Sequence, residues 1–194
     1  MVLLLLLSVA GICAGPEGIL HPGEGTTVDG TVALDGMHIF TGQMLRTSTG
    51  RYSELLTRGS TVRLLGDTKL RFKGDSADLI GGSVLLSTST RFSTQSECAR
   101  ITPDLMTPSR YLVQLQNSTV FVSAEQNDVT ITTRRSVRVP TGKTVAVYCA
   151  SPAQTIVFVG RDLAPKVIMG SAAAATPLGL LPKPDMSPSG PSQR

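Results

Sequence analysis

The 194-residue sequence is poor in aromatic and charged side chains. Aromatic residues make up 4% of it, tryptophan is absent, and Asp, Glu, Lys and Arg together contribute 16%, well below the share usual in soluble domains. Since 41% of the residues are hydrophobic, any core must be aliphatic. Proteins that bind single-stranded nucleic acid without sequence preference stack bases on aromatic rings, so this composition argues against that class.

The basic residues give a net charge of +4 and a pI near 9.2, but they are spread along the chain. The one dense group is Arg134-Arg135-Ser136-Val137-Arg138. Binding to a phosphate backbone requires a coherent basic face, so we expect no nucleic-acid partner. Contact with an anionic polymer of the cell envelope remains open.

Residue types that carry out catalysis or bind metals are also scarce. The chain has two histidines, His21 and His38, and no Cys/His spacing typical of zinc sites. No nucleophile-elbow phrase surrounds a serine, and no glycine-rich phosphate loop leads into a helix. We therefore expect no enzyme activity and no cofactor.

No hydrophobic run is long enough to span a bilayer, which takes about 18 apolar residues. The segment Val2–Ala14 is instead typical of the apolar part of a secretory signal peptide, with cleavage after Ala14; a buried strand is the alternative. No Lys or Arg precedes the run, which leaves open a start site further upstream. Lipid attachment at Cys13 is disfavoured, because a small residue normally precedes a lipidated cysteine and Ile12 is large and branched.

Cleavage would leave two cysteines, Cys98 and Cys149. Two cysteines in an exported domain tend to pair, so we predict a disulfide between them; two buried free thiols are the alternative. We expect a periplasmic or otherwise extracytoplasmic protein without a stable membrane span once the signal has been removed.

Short strands separated by tight turns dominate the sequence from Thr26 onward. The glycines between Gly42 and Gly82 recur every seven to nine residues, a spacing typical of turns between strands. Hydrophobic and polar residues alternate in Thr61–Leu64 and Lys69–Phe72, so one face of each strand is apolar and the other is wet. A binding face is expected on the wet side, where four side chains project: Glu54, Arg63, Lys69 and Arg71.

These patterns predict an all-β domain of about ten to twelve short strands, arranged as a β-sandwich or a solenoid-like stack. The domain is expected to span residues 26–162. A signal peptide (1–14) and a Pro/Gly-rich linker (15–25) precede it, and a disordered Pro- and Ala-rich tail (163–194) follows it.

Phrases in the order and spacing of one known family run through residues 27–147. The clearest are Gly50-Arg51-Tyr52-Ser53-Glu54-Leu55, Arg58-Gly59-Ser60-Thr61-Val62-Arg63-Leu64, Asp67-Thr68-Lys69-Leu70-Arg71-Phe72 and Leu79-Ile80-Gly81-Gly82-Ser83-Val84-Leu85-Leu86. With these phrases the chain resembles the FecR domain family, extracytoplasmic domains named after a bacterial iron-uptake regulator. It departs from the family pattern at Arg58, where Asp is usual, and at Ser109–Val113.

The resemblance implies a stand-alone binding or sensing module of bacterial envelope signalling, whose partner is a protein or an envelope glycan. Family members that regulate sigma factors carry a cytoplasmic helical domain and a membrane span ahead of this domain. Only the signal segment precedes it here, so the module is expected rather than the full regulator. A structural envelope protein that docks on a partner or on a cell-wall glycan is the alternative.

Overall fold

The computed structural model describes residues 17–104, 107–150 and 155–159. Within these residues the chain forms 17 β-strands and no helix. The predicted signal peptide, its cleavage at Ala14, the lipidation question at Cys13 and the tail 163–194 lie outside the described residues. Over the same described ranges, no helix has the length and hydrophobicity needed to cross a membrane.

The strands are short except for β9, β12 and β13. The first nine are β1 (Gly18–His21), β2 (Thr27–Val28), β3 (Thr31–Val32), β4 (Met37–Ile39), β5 (Met44–Arg46), β6 (Ser53–Thr57), β7 (Ser60–Leu64), β8 (Lys69–Phe72) and β9 (Ser76–Thr88). The remaining eight are β10 (Ser93–Ser96), β11 (Ala99–Pro103), β12 (Ser109–Gln116), β13 (Thr119–Gln126), β14 (Val129–Thr132), β15 (Ser136–Val139), β16 (Thr144–Tyr148) and β17 (Ile156–Val159).

The strands form two sheets that share β9. Sheet A has the order β4-β1-β6-β7-β9-β12-β13-β16-β17. Sheet B has the order β3-β2-β5-β8-β9-β10-β11-β14-β15. Neighbouring strands are antiparallel except for the parallel pair β9 and β10.

Strand β9 passes from one sheet to the other at Gly82. Its first half pairs with β8 and β10, and its second half pairs with β7 and β12. Gly82 has a φ of +83°, and a Cβ placed there would lie 2.6 Å from the backbone oxygen of Asp67 and from the Cα of Thr68. A side chain is therefore excluded at this crossing by both conformation and space.

Hairpins alternate between the two sheets along the chain. The hairpin β6–β7 lies in sheet A, β10–β11 in sheet B, β12–β13 in sheet A, β14–β15 in sheet B and β16–β17 in sheet A. From one edge to the other, each sheet follows chain order except for its first two strands, as in a solenoid. The pair of sheets encloses one core, as in a sandwich. The predicted all-β class is confirmed, and the two architectures expected from the sequence describe two aspects of one arrangement.

The core is one hydrophobic cluster to which both sheets contribute. Leu55, Val62 and Val84 enter it from sheet A, and Leu70 and Phe72 enter it from sheet B, all with no exposed surface. Full burial of such a side chain contributes about 1.5–3 kcal/mol. The predicted alternation holds in β7 and β8, where apolar residues are buried and Arg and Lys point outward.

Residues 17–25, the described part of the predicted linker, do not behave as a linker. Gly18–His21 forms β1, which lies inside sheet A between β4 and β6. Leu20 is fully buried while Ile19 is exposed, so this segment has the same in–out alternation as the other strands. Composition predicts a loop here because Gly and Pro residues are frequent, so a strand of only four residues is not recognised from the sequence.

The structure contains a disulfide between Cys98 and Cys149, whose Cα atoms are 5.5 Å apart. Cys98 lies in the turn between β10 and β11, and Cys149 directly follows β16. The bond therefore joins a hairpin of sheet B to a strand of sheet A.

Candidate functional site

The four side chains expected to form one binding face lie on two different sheets. Glu54 and Arg63 belong to β6 and β7 of sheet A, whereas Lys69 and Arg71 belong to β8 of sheet B. The chain crosses between the sheets in the turn that contains Gly66, which the sequence pattern does not reveal. The structure therefore separates the four residues into two pairs, Glu54 with Arg63 on sheet A and Lys69 with Arg71 on sheet B. Their role in binding stays a prediction.

Glu54 and Arg63 neutralise each other. They are directly opposite on adjacent strands, and two guanidinium nitrogens of Arg63 donate to Oε1 of Glu54 at 2.5 and 2.8 Å. The guanidinium carbon also lies 5.0 Å from the centroid of the Tyr52 ring, within the range of a cation–π contact. This pair has its partners within the chain and is best explained as support for the β6–β7 hairpin.

The surroundings of that pair are also internally paired. Arg51 donates to Glu24 at 2.8 Å, and Nδ1 of His21 lies 2.8 Å from Oδ1 of Asp35. A shallow depression beside Tyr52 is lined partly by these side chains. Side chains that already have partners leave little to attract a charged ligand.

Sheet B presents a different arrangement on its outer face. Arg46 of β5 is directly opposite Lys69 of β8, and Arg71 follows two residues along β8 on the same face. We call these three residues the sheet B cation cluster. Among the described residues, none of the three has a carboxylate partner.

Asp78 of β9 is the acidic residue closest in register to this cluster, directly opposite Arg71. Its Oδ2, however, lies 2.7 Å from Nζ of Lys73. Across the strands of sheet B, the residues opposite one another form a row from Arg71 through Asp78 and Gln95 to Arg100. The guanidinium of Arg100 donates to the hydroxyl of Ser93 at 3.2 Å. The outer face of sheet B therefore carries more positive than negative charge along this row.

The dense basic group in the sequence is partly neutralised at its end. Arg138 lies 2.9 Å from a carboxylate oxygen of Asp128 and 3.3 Å from one of Asp104. The backbone N–H and the hydroxyl of Thr141 both donate to Asp128, and these bonds, with the help of Arg138, lower the pKa of Asp128. Asp128 thus closes the turn between β15 and β16.

Sequence reasoning missed Arg46 as a member of the candidate site. Arg46 is 23 positions away from Lys69 in the chain, and only the pairing of β5 with β8 makes them neighbours. No local pattern signals that pairing, because β5 has three residues. In the described part of the chain, no group of three or more His, Cys, Asp or Glu residues could hold a metal ion.

Comparisons with known proteins give a fold but no family. No protein-family model and no curated protein matches the chain. Two crystal structures, at 1.65 and 2.50 Å resolution, of a candidate anti-sigma factor from Parabacteroides distasonis do match. The chain shares its fold with that bacterial protein. The TM-score is 0.50 for both, at 16% and 15% sequence identity.

The match covers 60% of this chain and 58% of the Parabacteroides distasonis chain. The similarity therefore spans little more than half of that protein. At this level of identity the comparison supports the all-β architecture, and function must be argued from the chain's own residues.

Proposed function

We propose that this chain is a non-enzymatic binding or sensing module of bacterial envelope signalling, located outside the cytoplasm. It contacts an acidic partner protein through the sheet B cation cluster. The observation that carries this proposal is the direct juxtaposition of Arg46 and Lys69, with Arg71 beside them, and no carboxylate of the described residues forms an ion pair with any of the three.

This arrangement has a cost in the free chain. Like charges directly opposite on neighbouring strands destabilise a sheet. Carboxylates of a partner would remove the repulsion and would form charge-assisted hydrogen bonds, which are stronger than neutral ones. Exposed positive charge also accelerates the encounter with an acidic surface.

Three further features support an extracytoplasmic signalling role. The fold resembles that of a candidate anti-sigma factor, and the phrases between residues 27 and 147 resemble those of the FecR domain family. The Cys98–Cys149 disulfide is typical of compartments outside the reducing cytoplasm. FecR membership and periplasmic location are part of the proposal.

A structural envelope protein is the second candidate. The same cation cluster would suit an anionic cell-wall glycan, and a flat sheet face can lie along an extended polymer. The two candidates differ in the partner that is bound, so one experiment can separate them.

The test uses a triple variant, Arg46→Gln, Lys69→Gln and Arg71→Gln, of the full mature chain. Wild type and variant are immobilised and exposed to soluble envelope protein extract of the source bacterium and, separately, to purified cell-wall sacculi. We expect one acidic protein to bind the wild type at moderate salt, and its recovery to fall at least tenfold with the triple variant.

A second triple variant, Arg51→Gln, Arg110→Gln and Arg138→Gln, is the matched control. It removes the same net charge from arginines that already have carboxylate partners, and such exposed pairs contribute little to stability. If recovery of the bound protein fell equally with both triple variants, net charge alone would explain the binding, and the proposal would be contradicted. Binding to sacculi alone would favour the structural candidate instead.

A further inference from the structure

A cavity of about 650 Å³ lies at the end of the domain where three chain reversals meet. The reversals are the β6–β7 turn at Arg58, the β8–β9 turn at Lys73–Asp75 and the β9–β10 loop at Thr90–Phe92. Its volume falls within the range of about 300–1,000 Å³ that is common for small-molecule sites. This cavity is separate from the sheet B cation cluster.

The outer wall of the cavity is held by hydroxyl groups. The hydroxyl of Ser60 lies 2.7 Å from that of Thr88 and 3.0 Å from that of Thr90, and the N–H of Ser89 donates to the carbonyl of Gly59 at 2.9 Å. Gly59 has a φ of +70°, and a Cβ there would lie 2.6 Å from Cγ2 of Thr90. Only glycine allows the turn and the loop to approach so closely.

The same loop is anchored from the core side by Phe92. Its ring stacks on Phe72 with 6.5 Å between centroids, and its carbonyl accepts a hydrogen bond from the hydroxyl of Tyr111 at 3.2 Å. Tyr111 is fully buried, and burial raises the pKa of its phenol, so the hydroxyl remains a donor. Contacts within the chain therefore hold the cavity wall in place on both sides, without the help of a ligand.

The acidic side chains that line the cavity are already engaged. A carboxylate oxygen of Glu17 accepts a hydrogen bond from the hydroxyl of Thr41. A carboxylate oxygen of Asp75 accepts one from the hydroxyl of Ser76 at 3.0 Å. Neither carboxylate forms an ion pair with a cation of the described residues.

Three basic side chains also line the cavity, and two of them are free. Lys73 pairs with Asp78 at 2.7 Å. Arg58 and Arg91, in contrast, have no hydrogen bond or ion pair to any described residue. They flank the contact between Gly59 and Thr90, so the wall places two arginines, neither with a carboxylate partner among the described residues, at one cavity.

We propose that this cavity binds a small polar ligand that carries a carboxylate or a phosphate group. Arg58 and Arg91 contact the anionic group, since guanidinium forks match the geometry of both anions. This assignment goes beyond the proposed function, because it uses residues outside the sheet B cation cluster.

Calorimetric titration of the full mature chain tests the assignment with four probes: glucuronate, glucose 6-phosphate, glucose and inorganic phosphate. We expect at least one charged sugar to bind with a Kd below 1 mM, and glucose to bind at least tenfold more weakly. The comparison of glucuronate with glucose 6-phosphate identifies which anion the site prefers. Equal binding of glucose and both charged sugars would overturn the assignment, as would binding of inorganic phosphate alone.

The variants Arg58→Gln and Arg91→Gln should each weaken binding of the charged sugar at least tenfold. Arg135→Gln is the matched control, because Arg135 is an exposed arginine in the β14–β15 turn, away from the cavity. Unfolding curves of all variants verify the fold. Undiminished binding by the Arg58 and Arg91 variants would contradict the assignment, and the triple variant of the sheet B cation cluster should bind normally whether or not the proposed function holds.

Discussion

Single residues decide where charge is neutralised and where it is left over. The pair Glu54 and Arg63 satisfies its charges within one hairpin, although the sequence marks both residues as candidates for binding. Arg46 and Lys69 repel each other across two strands. On this difference rests the proposal that Arg46 and Lys69 contact a partner while Glu54 and Arg63 support the fold.

One glycine allows the strand shared by both sheets to cross between them. We predict that Gly82→Ala lowers the free energy of unfolding by about 2–4 kcal/mol, because the new methyl group meets backbone atoms at 2.6 Å and the residue is held at a φ of +83°. Urea unfolding monitored by circular dichroism measures this change.

Gly30→Ala is the matched control for that prediction. Gly30 has a φ of +85°, but a Cβ there would have no atom within 4 Å. We expect its cost to be limited to about 1 kcal/mol, from conformation alone. Equal costs at the two positions would show that close approach at the crossing is not what requires Gly82.

At the scale of elements, the disulfide connects the alternating hairpins. It ties the β10–β11 turn of sheet B to the end of β16 in sheet A across 51 residues of sequence. We predict no titratable thiol from Cys98 or Cys149 in the native, non-reduced protein. The double variant Cys98→Ser and Cys149→Ser should lose about 4 kcal/mol of stability, because its unfolded chain is no longer constrained.

Thiol titration of the native protein with and without denaturant, together with urea unfolding of both forms, tests that prediction. Wild type treated with a reductant is the control, and it should approach the stability of the double variant. Detection of two reactive thiols in the native protein would contradict the bond.

The sequence predicts which segments form strands far better than it predicts which strands pair with one another. Alternation within β7 and β8 identifies buried Val62 and Leu70 correctly, because period-two patterning is local. The strands β2 to β5 have two or three residues each, too few for an alternating pattern to be recognised. The described residues therefore form 17 strands, whereas the sequence predicts about ten to twelve. Pairing such as β5 with β8 depends on tertiary packing.

For the molecule as a whole, the same limit applies to the candidate sites. Lys69 and Arg71 are identifiable as outward-facing residues from the alternation of β8. Contacts between distant parts of the chain place them next to Arg46 and bring Arg58 and Arg91 to one cavity. Basic residues that look dispersed in sequence are thus gathered by the fold into two separate places.

The central claim, that the chain meets its partner through the outer face of sheet B, can be tested by photo-crosslinking in living cells. A photoreactive p-benzoylphenylalanine replaces Met44, which lies opposite Arg71 on that face, and in a second strain replaces Ser87, an exposed residue on the outer face of sheet A. We predict a discrete protein adduct after irradiation from position 44 and none from position 87. Adducts from position 87 alone, or no adduct from either position, would contradict the claim.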